Sequence, residues 1–313
     1  MYNACLIGYG YWGKNLARNF KNSGFFDLYS ISDNKKKNLL DAKKKYPLVK
    51  TYADYKKSIK NNLINLVIIS TPTITHYKIA KYSLENNKHI LIEKPMALSL
   101  HEVMSLNKIA KKNKKMIFVD YPFLFAGTIK YIKNLIEKKK YGKILEIESF
   151  REQAPIRNDS NVIWDLGIHD ISILTYLLKD HPYKIKTTII KNFGKKFCDT
   201  AYINLKYKKS INVIIKNSWV SPTKIRTIKI KFEKAILYCD ENESIYKIKI
   251  YKKKALKNWK DYSLELPNID LGEPLGKMTK YIFYSIKNNT NPLFENKLNE
   301  RITSLIEKIN KRT

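Results

Sequence analysis

The sequence predicts an α/β protein with an N-terminal doubly wound parallel sheet and a C-terminal α+β domain with an antiparallel sheet. Residues 1–121 alternate short apolar runs with helical spacing, as β-α-β units do. After residue 121, apolar residues recur at every second position, which is typical of antiparallel strands with one packed face. We therefore expect two domains, at 1–121 and 122–313, each long enough to bury a core.

The first thirteen residues carry the most informative pattern. An apolar run at 3–7 predicts a buried strand, the hexapeptide 8–13 has the form G-x-G-x-x-G, and helical spacing follows it. Strand, glycine turn and helix in this order are typical of a Rossmann dinucleotide site. Gly8 permits a tight turn, Gly10 leaves room for a pyrophosphate, and Gly13 lets the helix pack closely on the strand. We predict that these glycines bind the cofactor together with Tyr11 and Trp12. An ordinary tight strand–helix turn is the alternative.

Asp33 is expected to select the cofactor. The second strand, at 26–32, ends at Asp33, twenty residues after Gly13. A carboxylate at this place accepts hydrogen bonds from an adenosine ribose and repels a 2′-phosphate. The sequence therefore favours NAD over NADP, although the basic run 35–37 follows immediately.

Further elements complete the parallel sheet and bring polar residues to one edge. After an extended piece near Val49, apolar runs predict strands at 65–70, 89–92 and 116–119, and intervening helices are expected at 36–46, 55–60, 75–84 (capped by Thr75) and 99–111. Ligands bind at the carboxyl ends of such strands. The predicted binding residues there are Thr71, Pro72, His76, Glu93 and Lys94, and Asp120 falls at the same edge.

The second domain is expected to mix helices and alternating strands. The patterns predict helices at 128–138, 165–178, 274–287 and 297–309, and strands at 144–150, 202–207, 211–216, 225–232 and 245–250.

Two short motifs carry candidate chemistry. In Glu93-Lys94-Pro95, the lysine is suited to orienting an alcohol and the glutamate to a ribose hydroxyl, although this is also a common strand-end tripeptide. Asp165 and His169 are four residues apart, so in a helix they share one face and contact the same molecule. Histidine, with an ordinary pKa of about 6.5, is suited to accepting a hydroxyl proton. The alternative is that Asp165 caps the helix and His169 is a buried core residue.

The formal net charge of +32 is unusual, but it does not indicate a nucleic-acid site. The excess is spread over the chain, with +14 in residues 1–120 and +18 in the remainder, and only 6 of the 60 basic residues are Arg. Arg is the residue preferred for base and phosphate recognition. A cationic surface that attracts phosphorylated substrates remains compatible with this composition.

Other classes are disfavoured as well. No apolar run is long enough for a membrane span, and the glycine turn begins too early for a signal peptide. The three cysteines are scattered and lack metal-ligand spacing, so we expect no metal and a reduced, cytoplasmic setting.

Taken together, the motifs resemble those of the glucose–fructose oxidoreductase/inositol dehydrogenase (Gfo/Idh/MocA) family. The resemblance covers nearly the whole chain, and it rests on the order and spacing of Gly8-x-Gly10-x-x-Gly13, Thr71-Pro72 with His76, Glu93-Lys94-Pro95 and Asp165-x-Gly167-x-His169. It implies an open, mostly antiparallel second sheet that also builds oligomer contacts, and hence a homodimer or homotetramer. It also implies that Lys94, at a cis Lys-Pro bond, Asp165 and His169 are catalytic, with His169 as the acid/base.

The segment 151–178 resembles members from nucleotide-sugar and surface-polysaccharide pathways. By that similarity Arg151 and Arg157, with Asp165 and His169, bind the substrate, the arginines by pairing with a diphosphate or a carboxylate. Ser172 and Asp120-Tyr121 depart from the commoner family pattern and leave the substrate open. The resemblance thus implies an NAD(P)-dependent oxidoreductase acting on a secondary alcohol of a sugar. The alternatives are an imine or enone reductase and a non-catalytic dinucleotide-binding regulator.

Overall fold

The computed structural model describes residues 1–157, 160–191, 193, 197–255, 258–290 and 296–311, which form two compact units. Unit 1 comprises residues 1–125 and 272–303, and unit 2 comprises residues 126–271 and 304–313. The first unit thus ends a few residues after the predicted boundary at residue 121. It also includes 272–303, a segment that the sequence pattern assigns to the second domain.

Unit 1 contains a six-stranded sheet in which every neighbouring pair is parallel. Its order is β3-β2-β1-β4-β5-β6. Strands β2 and β3 are added on one side of β1, and the chain then crosses over to add β4, β5 and β6 on the other side. This is the doubly wound order, and the predicted fold class is confirmed. The strands are β1 (Tyr2–Ile7), β2 (Phe26–Ser32), β3 (Lys50–Tyr52), β4 (Ile64–Ile69), β5 (His89–Glu93) and β6 (Ile117–Asp120).

The central strands are apolar on both faces because helices cover both faces. In β1, the consecutive residues Ala4, Cys5 and Leu6 are fully buried. The helices that group with this unit are α1 (Tyr11–Asn22), α2 (Lys36–Lys45), α3 (Tyr55–Ile59), α4 (His76–Glu85), α5 (Leu100–Lys112) and α8 (Pro274–Lys287). Helix α9 (Asn296–Asn310) extends from the last residues of unit 1 into those of unit 2.

The bounds of α2, α3, α4 and α5 agree with the predicted ones to within one residue, but the predicted cap of α4 is wrong. Ser99 caps α5 by accepting a hydrogen bond from the Glu102 amide. The Thr75 side chain makes no such bond to α4. A short 3-10 turn precedes α4, and the Thr75 hydroxyl donates to the carbonyl of Pro72 instead. The Thr75 hydroxyl is therefore used within the preceding turn and does not cap the helix.

Unit 2 contains an eight-stranded sheet of order β14-β13-β12-β11-β7-β10-β9-β8. Only the β7–β10 pair is parallel among these described strands, so the sheet is mostly antiparallel, and its two edges do not pair with each other. The strands are β7 (Ile144–Glu152), β8 (Lys184–Ile190), β9 (Thr200–Lys206), β10 (Asn212–Ser218), β11 (Ile225–Phe232), β12 (Ala235–Asp240), β13 (Ile248–Ala255) and β14 (Asn258–Glu265). The sequence patterns miss β8, β12 and β14.

Two helices of unit 2 pack together, α6 (Gly127–Glu137) and α7 (Ile168–Leu178). The buried Lys133 ammonium on α6 donates to the carbonyls of Tyr176 and Leu177, which satisfies acceptors in the last turn of α7. The predicted start of α7 at Asp165 is wrong, because residues 163–167 form a π-helical turn and the α-helix begins at Ile168. In the part of the chain that the structure describes, no helix is long and apolar enough to cross a membrane.

Candidate active site

The glycine turn after β1 has a geometry that only glycine satisfies at two of its positions. Gly8 has φ of +92°, and a Cβ there would lie 2.3 Å from the backbone oxygen of Ser70 at the end of β4. A Cβ on Gly13 would lie 2.0 Å from the backbone oxygen of Gly8. The first turn of α1 therefore packs directly against the loop that precedes it. Gly10 differs, because a Cβ there would meet no atom within 4 Å.

The start of α1 is suited to binding an anion. The first N–H groups of any α-helix lack partners within the helix, and they form its positive dipole end. No side chain caps α1, and its first turn contains no acidic residue. The open space beside Gly10 lies at this helix end. These features fit the pyrophosphate of a dinucleotide, which the predicted motif also requires.

A cavity of about 460 Å³ adjoins the glycine turn. This volume lies within the usual range for small-molecule sites. Its lining brings together five of the predicted cofactor-binding residues, namely Gly8, Gly10, Asp33, Thr71 and Pro72. It also includes residues that the sequence patterns do not single out, among them Asn34, Asn38, Ala53, Tyr55, Ser70 and Ile79.

Asp33 lies in the lining of this cavity and accepts three hydrogen bonds. One carboxylate oxygen accepts hydrogen bonds from the Tyr9 amide at 2.7 Å and from the Asn38 side chain at 3.0 Å. The other oxygen accepts from the Lys35 amide at 2.8 Å. A carboxylate has about four acceptor positions, so three donors leave capacity for a further donor such as a ribose hydroxyl. The same contacts tie Asp33 to the backbone of the glycine turn.

His76 has a different place from the one predicted. Its ring is buried and is absent from the cavity lining. The two ring nitrogens lie 2.8 Å from the carbonyl oxygens of Pro95 and Thr71. Burial lowers the pKa of His76, although both carbonyls oppose this shift. His76 therefore links the loops after β4 and β5 and does not offer its ring to a ligand in the cavity.

The other predicted residues of unit 1 also lie outside the cavity lining. The Tyr11 side chain is 87% exposed. The Trp12 indole N–H donates to a carboxylate oxygen of Asp120 at the end of β6. Glu93 and Lys94 are partly exposed, and the Lys94-Pro95 bond is cis, as the family resemblance implies. Trp12 contacts the carboxyl end of β6, and Glu93 and Lys94 lie at the carboxyl end of β5. Strands β5 and β6 lie on the other side of β1 from β2, the strand that Asp33 follows.

In unit 2, Asp165 lies in the π-helical turn that precedes α7. Its carboxylate accepts a hydrogen bond from the Trp219 indole at 2.9 Å, and the half-exposed Arg157 guanidinium lies 3.7 Å from its other oxygen. The cap of this turn is Asn161, whose side-chain oxygen accepts from the amides of Ile163 and Trp164. The alternative in which Asp165 caps the helix is therefore wrong.

The glycine of the Asp165-x-Gly167-x-His169 motif allows close packing on the sheet. A Cβ on Gly167 would lie 2.8 Å from the Asn217 side-chain oxygen on β10. His169 follows in the first turn of α7 with a partly exposed side chain, so it is not the fully buried core residue of the alternative interpretation. The carboxylate of Asp165 and the imidazole of His169 therefore belong to a backbone segment that packs against β10.

Asp170, next to His169, connects this segment to the sheet through hydrogen bonds to β7 and β10. One of its buried carboxylate oxygens accepts from the Ser149 hydroxyl at 2.8 Å and from Arg151 Nε at 3.2 Å, and the other accepts from the Asn217 amide at 2.7 Å. Asp170 and Arg151 are both almost fully buried. Such a charge pair is maintained because each group satisfies the other in a medium where water is excluded.

This network corrects the prediction for Arg151. Its side chain is only 2% exposed; its Nε pairs with Asp170, and its Nη1 lies 3.8 Å from a carboxylate oxygen of Glu241. Burial raises the pKa of Glu241, and the charge of Arg151 opposes this shift. Arg151 therefore pairs within unit 2 and is not presented to a substrate, whereas Arg157, whose side chain is 47% exposed, is accessible.

Several residues in these networks were missed from the sequence, and some carried a usable signal. Asp170 directly follows His169, and Ser149 and Arg151 are two apart on one strand, which places them on the same face. Asn217 and Trp219 show no such local signal, because only the sheet register brings β10 beside β7. Among the described residues, no group of three or more His, Cys, Asp or Glu side chains is placed to hold a metal ion.

Comparison with known proteins identifies the family. The sequence model of the oxidoreductase family with an NAD-binding Rossmann fold matches residues 2–121, and that of the GFO/IDH/MocA C-terminal domain matches residues 129–238. Myo-inositol 2-dehydrogenase from Thermotoga maritima is 28% identical over 225 residues, covering 68% of this chain and 67% of that protein. Glucose-6-phosphate 3-dehydrogenase from Bacillus subtilis is 28% identical over 127 residues, or 36% of each chain.

The fold is shared over almost the full length with solved structures. UDP-N-acetylglucosamine 3-dehydrogenase from Acidithiobacillus ferrooxidans superposes with a TM-score of 0.87 at 18% identity, covering 99% of this chain and 97% of that one. Since the two family models together match most of the chain, the conclusion does not depend on any one relative. The chain belongs to the Gfo/Idh/MocA family of oxidoreductases, whose N-terminal Rossmann domain binds a nicotinamide cofactor.

Proposed function

We propose that this protein is an NAD-dependent dehydrogenase that transfers a hydride between the nicotinamide and a secondary alcohol or ketone carbon of a sugar. The observation that carries this proposal is the cavity of unit 1, where a glycine turn, an uncapped helix start and Asp33 meet. When bound there, the dinucleotide supplies the hydride acceptor or donor. The protein's own residues bind it, orient the sugar and move the hydroxyl proton.

We propose His169 as the group that accepts the hydroxyl proton during alcohol oxidation and returns it during ketone reduction. The alcohol loses one proton to His169 and one hydride to the cofactor, which leaves a ketone. The partly exposed imidazole and the seating of its helix by Asp170 support this role. Lys94 and Asp165 are proposed to bind the sugar oxygens, in keeping with their places at the end of β5 and in the π-helical turn.

The proposed preference for NAD rests on Asp33. Replacing Asp33 by Ser should shift the ratio of the NADP and NAD dissociation constants toward NADP by about tenfold, because a buried charge that repels a 2′-phosphate is removed. Both affinities should also fall, since Asp33 accepts from the Tyr9 and Lys35 amides. Titration calorimetry with each dinucleotide measures the ratio. A wild type that binds NADP more tightly than NAD would contradict the assignment.

We propose a nucleotide sugar as the substrate class. The nearly full-length structural match includes an enzyme named for UDP-N-acetylglucosamine, and other relatives are named for inositol and for a sugar phosphate. Arg157 is exposed enough to pair with a diphosphate and lies beside Asp165. The net charge of +32 favours the approach of any phosphorylated sugar.

A substrate screen tests this function. Free sugars, inositols, sugar phosphates and nucleotide sugars are each incubated with NAD or NADP, and reduction of the nicotinamide is followed by absorbance. The proposal expects reduction of NAD with a nucleotide sugar and slower reaction with the corresponding free sugar. Consumption of NADH by imines or enones, with no activity on any alcohol, would favour the alternative reductase. Cofactor binding without turnover in either direction would favour a regulator.

We also propose that the protein is a homodimer or homotetramer built through the second sheet. The strand register places three apolar side chains on one face of that sheet, namely Tyr238, Tyr251 and Leu264. The buried Ile250 points to the other face. Exposed apolar area of this kind is typical of interaction surfaces. Light scattering should give a mass two or four times 36.8 kDa at micromolar concentration.

The variant Tyr251→Glu/Leu264→Glu should lower that mass to a monomer's. Leu48→Glu, which places the same charge at a fully exposed leucine of unit 1, is the matched control and should leave the mass unchanged. A monomeric wild type at moderate salt would contradict the proposed assembly.

A further inference from the structure

Unit 1 contains a pair of carboxyl groups that the mechanism above does not use. Glu93 ends β5 and Asp120 ends β6, and the parallel register places the two residues directly side by side. Asp120 is 0% exposed. Its Oδ2 accepts the indole N–H of Trp12, which lies in the first turn of α1 two residues after Gly10. A carboxylate at the sheet edge therefore connects β6 to the helix that begins the cofactor site.

The second oxygen of Asp120 indicates that the pair contains a proton. This Oδ1 is buried, and no N–H or hydroxyl group of another described residue donates a hydrogen bond to it. A buried acceptor without a donor is costly, and so are two adjacent negative charges. A proton on Glu93 would remove both costs, because its O–H would then donate to the carboxylate of Asp120, its partner in the strand register.

The charges around the pair support one shared proton near neutral pH. Although the Glu93 side chain is partly exposed, desolvation by the surrounding protein raises its pKa well above the ordinary value, and the charge of Asp120 adds to this shift. Burial also raises the pKa of Asp120, to about 6, while hydrogen bonds from Trp12 and Glu93 and the charge of Lys94 oppose the rise. The adjacent Tyr121 is buried and its pKa is raised, so it stays neutral over this range.

We propose that Glu93 and Asp120 share one proton and that this pair positions Trp12, so that the nicotinamide half of the cofactor site is ordered only while Asp120 is ionised. In a doubly wound sheet the strands beyond the crossover form the second mononucleotide half, and β5 and β6 are those strands here. The proposal rests on cofactor binding at this edge. Asp120 is a positioning residue, since it acts through Trp12.

The direction of the pH effect on Trp12 follows from its hydrogen bond to Asp120. Above the pKa of Asp120, the indole N–H donates to a carboxylate, and such a charge-assisted bond is about twice as strong as a neutral one. Below it, Asp120 is a neutral acid and its hold on Trp12 weakens. The ordering of Trp12 is therefore present at neutral pH and is lost as the pH falls through about 6.

Tryptophan emission in the cofactor-free protein tests the pair directly, without reliance on the proposed function. Indole emission responds to a change of charge at its N–H, so the wild type should show a transition near pH 6 between pH 5 and 8. Trp12→Phe and Asp120→Asn should each remove it. Asp27→Asn, an identical change at a half-exposed carboxylate that pairs with Lys21, should retain it. A transition that persists in Trp12→Phe, or a flat wild-type titration, overturns the proposal.

The effect on the site is measured by NAD binding over the same pH range. The wild-type dissociation constant should rise about tenfold as the pH falls from 7.5 to 5, which corresponds to weakening one charge-assisted hydrogen bond. Asp120→Asn should bind NAD weakly and with no such pH dependence. If the emission transition is present but NAD affinity is constant with pH, the positioning role is overturned. If NAD does not bind the wild type at all, the proposed function fails, and the emission titration still decides on the shared proton.

Discussion

Gly10→Val should weaken NAD binding by about 100-fold while the protein remains folded. The new side chain would occupy the open space at the start of α1, where we place the pyrophosphate. Overpacking a site by this much costs up to about 3 kcal/mol, which is a factor of about 100 in affinity. In the free protein the branched side chain has room, and Gly10 has φ of −77°, which valine adopts without strain.

Titration calorimetry measures the affinity, and circular dichroism with thermal melting measures the fold. Asn22→Val, at the exposed last residue of the same helix, controls for the lower helix propensity of valine. It should leave NAD affinity unchanged. Wild-type affinity in a folded Gly10→Val protein would contradict the placement of the pyrophosphate.

His169→Ala should lower kcat by about 10²–10⁴-fold, the usual contribution of a general base. NAD affinity should change little, because Asp33 is held by Tyr9, Lys35 and Asn38, which the substitution does not touch. Turnover with the substrate found in the screen and the NAD dissociation constant are measured on the same preparation. The two quantities separate loss of chemistry from loss of cofactor.

His101→Ala is the matched control, since His101 is exposed on α5 in unit 1. It should retain full turnover. If His169 served only the packing of α7, its alanine variant would melt at a lower temperature and keep its activity per folded molecule. Full activity in a folded His169→Ala protein would remove the proton-transfer assignment.

Local patterns predicted unit 1 well because its determinants are close in sequence. The glycines, the apolar run of β1 and the position of Asp33 all lie within about thirty residues of one another. The requirement for Gly8 is an example, although its full reason involves Ser70 on β4. What local patterns could not predict is that segment 272–303, distant in sequence, groups with this unit.

The missed strands and the π-helical turn have non-local causes. In β12, Leu237 and Cys239 are buried while the alternate residues Ile236 and Tyr238 are only partly covered, so both faces are apolar and the period-2 signal is lost. The turn at 163–167 packs through Gly167 against Asn217, fifty residues away. Neither relation is visible in a local window.

Arg151 shows the same limit for site residues. The resemblance of segment 151–178 to nucleotide-sugar enzymes implied a substrate-binding role for Arg151, and no local pattern indicated a partner for it within the protein. Its partners Asp170 and Glu241 come from α7 and from the chain just after β12, and only the folded sheet brings them together. The sequence analysis thus predicted a substrate-binding role for both arginines, and the structure places Arg151 in a buried ion-pair network and leaves Arg157 accessible.

Hydride transfer from the sugar to the nicotinamide is tested most directly with a deuterium-labelled substrate. The sugar that gives the fastest nicotinamide reduction is prepared with deuterium on its carbinol carbon, and the reduced cofactor is analysed by mass spectrometry. Direct hydride transfer predicts one deuterium in each reduced nicotinamide, with the label absent from the solvent. Reduced cofactor that contains only protium would contradict the proposed transfer between a secondary alcohol carbon and NAD.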